Sequence, residues 1–512
     1  MPRNADTKWV KDIKGYSDNF AVGDVPVLTN QLNNVKIKHG HVIGRGGMTK
    51  YVSGASASAA DIIGLFNYKQ ADGSHILVRM QPTSVQALIA GAWSDITGTA
   101  LTGNANTRPQ YTLADDAGGS GDAISLLFTN GIDLPRFWDG TGNTAPIASG
   151  TSPYGKGVFY YLGFVFLTNV SDNGSFTDVF DGHRTGRFSD VWNTSWGICT
   201  EDLIVLDETP GSWDASVVLG RAVIACKSDG FVLLRHTTAT GARFTQELMT
   251  DKVGIMSPLS LQKLDETSAI CLGTDNTLLL LTPNAIKSIS YDELFELIKP
   301  AVTAGRLHLS RSTVNHNEKT YYLFYDRTGL SNQLLDSYIS LHYAGKEFSK
   351  GQLGKNITAA ETFQTSDHAE RDIVVASESR FVEEFDLGAD DDGTKITRQW
   401  QTGWQKFSEE GWLHGARMIF EQSSQGKVKV DIATNFGPFR AAQIFKLRGS
   451  LPTDDMVEIT YRMPSPVLCE FANIRLTFIH PVAATSVELQ QIGFELSSVL
   501  KTGDQKDRGQ AA

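Results

Sequence analysis

Few residues in this chain stand at spacings that chemistry could use, and each also has a plainer reading. His39 and His41, at i and i+2, share one face of a strand, where two imidazoles could hold a metal. No Cys, Asp or Glu lies near them in sequence to complete a ligand set, so they read as an exposed pair. Asp390-Asp391-Asp392 could collect calcium but lacks the alternating D-x-D-x-D-G spacing, and reads as a solvated acidic linker. Gly140-Thr-Gly-Asn-Thr-Ala145 has the form G-x-G-x-x-A, yet Pro146 follows and no helix does. A phosphate cradle needs a helix N-terminus there, so this is a turn. The acid pairs 115–116, 383–384 and 409–410 are adjacent residues, which diverge to opposite faces of a strand. Glycoside hydrolysis needs two carboxylates that face each other. No G-x-S-x-G elbow, H-E-x-x-H pair or Walker loop occurs. The sequence therefore names no catalytic residue, no cofactor-binding residue and no metal ligand, and implies no cofactor.

The bulk properties narrow the class further. The chain has 512 residues, 41% of them hydrophobic, with 48 glycines against 16 prolines, enough for a large core and many tight turns. Its formal charge of −11 argues against a protein that grips DNA by its phosphates, because that affinity comes from Lys and Arg displacing counterions. Cys199, Cys226, Cys271 and Cys469 are far apart and form no CxxC pair; Cys226 and Cys271 lie in apolar runs, as small buried hydrophobes do. The opening MPRNADTKWVKDIKG lacks the apolar core of a secretion signal, and no run is long enough to span a bilayer.

The elements that would position any site are organised around residues 258–290. Four short runs, 258–263, 267–272, 277–281 and 285–289, are separated by the polar or proline turns Asp265-Glu266, Thr274-Asp275-Asn276 and Thr282-Pro283-Asn284. Leu278 to Leu281 is continuously apolar, so that strand should be buried on both faces. A four-stranded meander of this kind cannot bury its faces alone. Looser versions start near Asp61, Arg108, Gly157, Asp202, Ser312 and Ile357, at intervals from 45 (157 to 202) to 56 (202 to 258) residues. That rhythm is the one at which propeller blades recur. Trp93, Trp138 and Trp192 sit near the outer ends of three units. The expected fold is all-β: a β-propeller of seven blades, six being possible, over residues 35–390.

Around it, residues 1–34 read as an extended arm with scattered apolar anchors, ordered by docking on its own domain or on a neighbour. Val35 and Ile37 alternate with Lys36 and Lys38, Gly40 turns the chain, and Val42-Ile43 returns, giving a hairpin that feeds the first blade. Ser290-Tyr-Asp-Glu293 is a capping box and opens a short helical insertion near 291–305. The acidic stretch from Asp386 to Thr394 reads as a flexible linker. Beyond it, 396–500 alternates apolar and polar residues over 428–432, 457–461, 474–478 and 487–492, as an antiparallel β-sandwich does. Trp400, Trp404 and Trp412 stand at its start, as core residues or as an exposed hot spot. Residues 501–512 read as a disordered tail.

Three segments carry a resemblance. Asn34-Val-x-Ile-x-x-Gly40-x-Val42-x-x-Arg45-x-Gly47, followed by a blade and Trp93-Ser-Asp-Ile96, resembles the opening of propeller proteins in short-tailed bacteriophage tails. Gly186-Arg-Phe-Ser-Asp190 with Val191-Trp192 is similar to the R-x-x-S-D…W element of an early blade in that family, and Leu281-Thr-Pro-Asn-Ala-Ile-Lys-Ser288 stands in the same order before a helix. The family comprises tail nozzle and packaged-DNA-stabilisation proteins. The resemblance implies a structural virion protein in a homo-oligomeric ring, six-fold, around the DNA exit channel, made in the host cytoplasm and having no enzyme activity. Its implied partners are copies of itself, a tail adaptor, a distal plug, needle or fibre, and phage DNA that passes without sequence-specific binding. Asp172-Asn-Gly174 is similar to loops of sialidase-type propellers, but the serine–aspartate spacing and the following tryptophan are missing. A glycan-binding or glycan-hydrolysing propeller is the alternative, to be told apart by whether acids cluster at the propeller mouth.

Overall fold

The computed structural model describes the chain except residues 1–5, 10–13, 17–27, 39–40, 55–59, 116–123, 148–152, 172–181, 192–202, 238–242, 290–305, 329–333, 346, 368, 388–389, 403, 421–425, 441, 448–456, 480–487 and 499–512. The expected helix at 291–305, the tail at 501–512, His39, Cys199, Trp192 and Asp172–Gly174 lie outside the described residues. What is described is β-strand with three short 3-10 turns. It divides into two compact units: a central one of residues 48–339 and 353–386, and a terminal one of residues 1–47, 340–352 and 387–512.

The central unit is propeller-like. Five four-stranded antiparallel meanders follow one another, each pairing its strands in sequence order. They run from Gly64–Lys69 to Ala92–Asp95, Gln110–Asp115 to Ala145–Pro146, Tyr154–Tyr161 to Leu203–Val205, Trp213–Leu219 to Phe244–Thr250, and Gln262–Asp265 to Ala285–Ser288. The stretch around which the sequence is organised forms strands at Gln262–Asp265, Ser268–Leu272, Leu278–Thr282 and Ala285–Ser288, with Pro258–Ser260 a 3-10 turn where strand was expected. Leu278, Leu279 and Leu281 are buried, as the continuous apolar run requires. One expected unit start is corrected. Leu203–Val205, next to Asp202, is the last strand of the third sheet, and the fourth begins at Trp213.

Apolar clusters between neighbouring sheets hold the arrangement together. Phe66, Met80, Phe128 and Trp138 pack between the first and second sheets, and Phe159, Phe166, Phe188, Trp213 and Phe244 between the third and fourth. Cys226 and Cys271 share the cluster between the fourth and fifth, where burial pushes both thiols up, so they act as hydrophobes. A sixth sheet has seven strands, in the order Arg311–Asn315, Thr320–Tyr325, Leu335–His342, Glu347–Phe363, Asp372–Ser377, Val382–Phe385 and Met48–Lys50. Its last member comes from the start of the unit: Met48 pairs with Phe385 and Lys50 with Glu383. Ile62, Leu65 and Leu77 of the first sheet region then pack on Phe363, Val374 and Ala376, which closes the cycle.

The terminal unit is one eleven-stranded sheet, and it bears on three expectations. The hairpin Val35–Lys38 and His41–Gly44 does not feed the first blade: it pairs through Val42 with Leu489. The alternation of Val35 and Ile37 with lysines marks a half-buried strand correctly, but alternation carries no information about its partner. Second, of the two docking sites expected for the N-terminal arm, its described strands take the one on their own unit. Asp6–Trp9 pairs with Gly493–Leu496, and Leu28–Asn33 pairs with Arg398–Thr402 through Leu32 and Trp400. Main-chain hydrogen bonding is indifferent to side-chain polarity, so a polar segment can complete a sheet. Third, the expected strands 457–461 and 474–478 are two ends of a single strand, Val457–Ile479, which pairs with Gln405–Phe420 at one end and with Gly426–Thr434 and Arg398–Thr402 at the other.

Residues 390–394 of the acidic stretch form a closed turn rather than a flexible segment. Asp391 and Thr394 exchange both backbone hydrogen bonds, at 2.8 and 3.0 Å, around Asp392 (φ 46°) and Gly393 (φ 89°). Two left-handed residues of sequence Asp-Gly make the primed turn that suits a hairpin. Asp391 is fully buried and paired with the equally buried Arg45, Oδ2 to Nη2 at 2.8 Å. Its neighbours therefore set its role: a counter-charge for Arg45 rather than a solvated acid.

Candidate functional site

The first strands of the sheets in the central unit surround a cavity of about 390 Å³. Every sheet contributes to it: Phe66, Tyr111, Phe159, Ser216, Gln262, Arg311 and Glu361 are among the lining residues. Most of the polar ones are tied to the framework. The Gln110 amide donates to the Asp214 carbonyl at 2.9 Å, the Gln262 amide to the Ser312 carbonyl at 2.9 Å, and Arg311 to the Ile63 carbonyl at 2.8 Å. Burial, followed by the nearby Arg108, pulls Arg311 down to about 9. These groups tie the sheets to one another, Gln110 linking the second to the fourth and Arg311 the sixth to the segment before the first.

Glu361 differs from them. It is the one carboxylate among the residues lining this cavity, and it forms no ion pair among the described residues. Its Oε1 accepts the Thr362 N–H at 2.9 Å, and the Tyr111 hydroxyl donates to it. The Asn67 N–H in turn donates to Tyr111 Oη at 3.5 Å, and the Tyr111 ring lies against Phe66 at 4.9 Å. Burial without a counter-charge pushes the Glu361 carboxyl up to about 7, partly offset by those two hydrogen bonds. The Tyr111 hydroxyl is raised well above its ordinary value by burial and then by Glu361. A lone carboxyl that titrates near neutrality can donate or accept a proton. Two-carboxylate glycoside hydrolysis needs a second facing carboxylate, and the described lining of this cavity contributes Glu361 alone.

Among the described residues, those singled out in the sequence are not brought together. Gly140 (φ 91°) and Gly142 (φ 57°) lie in the turn expected of them, closed by the Trp138 indole donating to the Gly142 carbonyl at 3.2 Å. Glu383 is buried, accepting from Ser377 Oγ at 2.8 Å with Lys355 Nζ at 3.6 Å. Glu384, next to it, is raised by burial and then by Asp372. Asp115 and Glu410 are exposed. Trp400 is fully buried, Trp404 is half-buried and Trp412 is 41% exposed, so the tryptophan group divides between core and surface. No group of three or more His, Cys, Asp or Glu that could hold a metal occurs among the described residues. Among them, too, no helix is long and apolar enough to cross a membrane. Sequence reasoning missed Glu361 because its environment is assembled from three sheets far apart in the chain. Glu361 sits alone in the run Ala359-Ala360-Glu361-Thr362-Phe363, where an acid in a strand was the available signal.

No family model matches the chain, and no curated protein matches it in sequence. Among similar solved structures, PorZ, a surface component of the type-IX secretion system of Porphyromonas gingivalis, aligns at TM-score 0.36 and 8% identity over 64% of this chain. The chain spans 37% of PorZ. Hsv2 of Kluyvelomyces marxianus aligns at TM-score 0.32 and 9% identity, over 69% of this chain and 94% of Hsv2. An exo-β-1,3-galactanase from Phanerochaete chrysosporium aligns at TM-score 0.22 and 9% identity, over 96% of this chain and 100% of the galactanase. At these scores the three likenesses assign neither family nor activity.

Proposed function

We propose that this chain is a structural virion protein of a short-tailed bacteriophage, a nozzle or hub subunit of the tail without a catalytic role. The central unit is read as seven blades. The 17-residue strand Glu347–Phe363 serves two of them, one end completing the sixth and the other opening the seventh, which Met48–Lys50 closes. The terminal unit is read as a β-sandwich whose two layers share the long strand Val457–Ile479. Six copies form a ring around the exit channel, between a tail adaptor and a distal plug, needle or fibre. The surface facing DNA is acidic, in keeping with 57 acidic against 46 basic side chains, so that the genome slides without being gripped.

What supports the non-catalytic reading is that Gln110, Gln262 and Arg311 in the axial cavity are committed to the framework, and that its described lining includes one carboxylate, Glu361. The tail assignment itself is supported by the segments at Asn34–Gly47, Gly186–Trp192 and Leu281–Ser288. Antibody labelling of purified particles tests it. Gold at the distal end of the tail is the expected result. A protein absent from purified virions by mass spectrometry would sink the assignment.

A further inference from the structure

A surface feature of the terminal unit is unrelated to the axial cavity. Residues 434–437 form a tight turn in which the Gly437 N–H donates to the Thr434 carbonyl at 2.8 Å. Its central residues, Asn435 (φ 47°) and Phe436 (φ 58°), are both left-handed. Asn is at home there, whereas the second position of such a turn favours glycine and an aromatic is an outlier. The strained geometry is firmly held. Asn435 donates its own N–H to the Phe471 carbonyl at 3.0 Å and its side-chain amide to the Leu468 carbonyl at 3.3 Å. Its side-chain oxygen accepts the N–H groups of Glu470 and Phe471, at 3.0 and 3.2 Å.

What the clamp presents is a row of three rings. Phe436 lies between Trp404, at 4.7 Å and 45°, and Phe471, at 4.9 Å and 43°. Phe436 is 55% exposed, so burial in its own fold does not account for an aromatic at a position where glycine would turn the chain without strain. Beside the row stands an ion pair, Lys406 Nζ to Glu470 Oε1 at 3.6 Å, with both side chains 48% exposed.

We propose that Trp404, Phe436 and Phe471 form a carbohydrate-binding strip that stacks on the apolar C–H faces of a pyranose chain, with Glu470 and Lys406 hydrogen-bonding its hydroxyls. The size of the row argues against a protein occupant. Aromatic side chains offer about 150–250 Å² each, much of it already used between the rings, against roughly 800 Å² per partner in a stable interface. Its charge argues against single-stranded nucleic acid, which needs free cations along the backbone track, whereas Lys406 is engaged by Glu470. A neutral, hydroxylated ligand with flat apolar faces fits both the size and the charge. The inference does not depend on the virion reading.

The test is native affinity electrophoresis of the full chain through gels containing, in turn, soluble dextran, laminarin, galactomannan, xyloglucan and bacterial O-polysaccharide. At least one polysaccharide should retard the wild type, with its Kd raised at least ten-fold by Trp404→Ala and by Phe436→Gly. Phe436→Gly relieves the left-handed strain and should leave the melting temperature within about 3 °C, which separates a binding role from a packing role. No retardation by any of the five, or equal retardation of wild type and both variants, overturns the proposal. So does a cooperative loss of folding in Phe436→Gly, which would make the ring structural. If sedimentation shows self-association that Phe436→Gly abolishes, with no retardation in the gels, the occupant is a second copy and the proposal falls.

Discussion

The five four-stranded sheets of the central unit pair strands that follow one another, whereas the terminal unit also pairs strands from opposite ends of the chain. In the fifth sheet Ile270 meets Leu280, ten residues on. In the terminal sheet Thr29 meets Thr402 and Val42 meets Leu489. Both units rest on the same kind of main-chain hydrogen bonds between strands. What differs is the loop that must close before each contact forms, and therefore how much of its stability depends on distant sequence. Damage to one end of the chain should spare the first kind of sheet and dissolve the second.

Truncation to residues 45–512 sharpens this contrast most. It removes Asp6–Trp9, Lys14–Tyr16, Leu28–Asn33, Val35–Lys38 and His41–Gly44, five of the eleven strands of the terminal sheet. Hydrogen exchange should show protection lost across Arg398–Ser498 and retained across Gly64–Ser288. Protection retained in both regions would mean that the N-terminal strands only decorate a sheet that is already stable.

A single side chain should come next in size. Arg45→Ala leaves Asp391 fully buried without its counter-charge. Removing one partner of a buried pair costs about 3–5 kcal/mol, because the remaining ion keeps its desolvation penalty. Denaturant unfolding followed by the fluorescence of Trp400 and its neighbours should register this. An Arg45→Met, Asp391→Leu double variant should lose much less, since no charge is then stranded. If the double variant is as unstable as the single, packing rather than charge is what Arg45 supplies.

These contrasts also explain what the sequence made legible. The meander over 262–288 could be read residue by residue, because each turn (Asp265-Glu266, Thr274-Asp275-Asn276, Thr282-Pro283-Asn284) lies between the strands it joins. The seven-stranded sheet could not, because Met48–Lys50 completes it from some 335 residues away, as Lys50 pairing with Glu383 shows. Asp391 was misread for the same reason. Three consecutive acids look solvated until Arg45, far off in the chain, is placed against the middle one. Glu361 was invisible as a site because the Tyr111 and Phe66 that surround it arrive from other sheets.

The axial carboxyl gives a pH-dependent prediction. Glu361 is raised from its ordinary 4.5 to about 7 by burial. A carboxyl whose folded pKa exceeds its unfolded one is bound to its proton more tightly when folded. Its penalty is absent below about pH 4, grows as pH rises through that interval, and is complete above about 7. The interval corresponds to roughly 3 kcal/mol, less whatever water reaches it from the cavity. Glu361→Gln keeps an oxygen for Tyr111 and Thr362 and removes the charge. It should raise the melting temperature at pH 8 and leave it nearly unchanged at pH 4.5. An equal change at both pH values would show that the carboxyl is paired with a cation or well hydrated.

The smallest expected effect tests the turn that replaced the linker. At Gly393, φ is 89°, and a Cβ built there meets no atom within 4 Å. Gly393→Ala therefore introduces no clash and leaves only the backbone term, about 1–2 kcal/mol for an L side chain in the left-handed region. Gly47 on the facing segment is a different case, since its Cβ would collide with the Asp390 carbonyl oxygen. The small loss at Gly393 should come with a larger local change. The two hydrogen bonds between Asp391 and Thr394 must loosen, and slow hydrogen exchange at both amides should become faster in the variant. Limited proteolysis gives the complementary reading: wild type should resist cleavage at 390–394, because Asp391 is buried and the turn is closed. Ready cleavage of the wild type there would restore the flexible linker. Cleavage that appears only in Gly393→Ala would show that the Asp-Gly turn holds the ion pair in place.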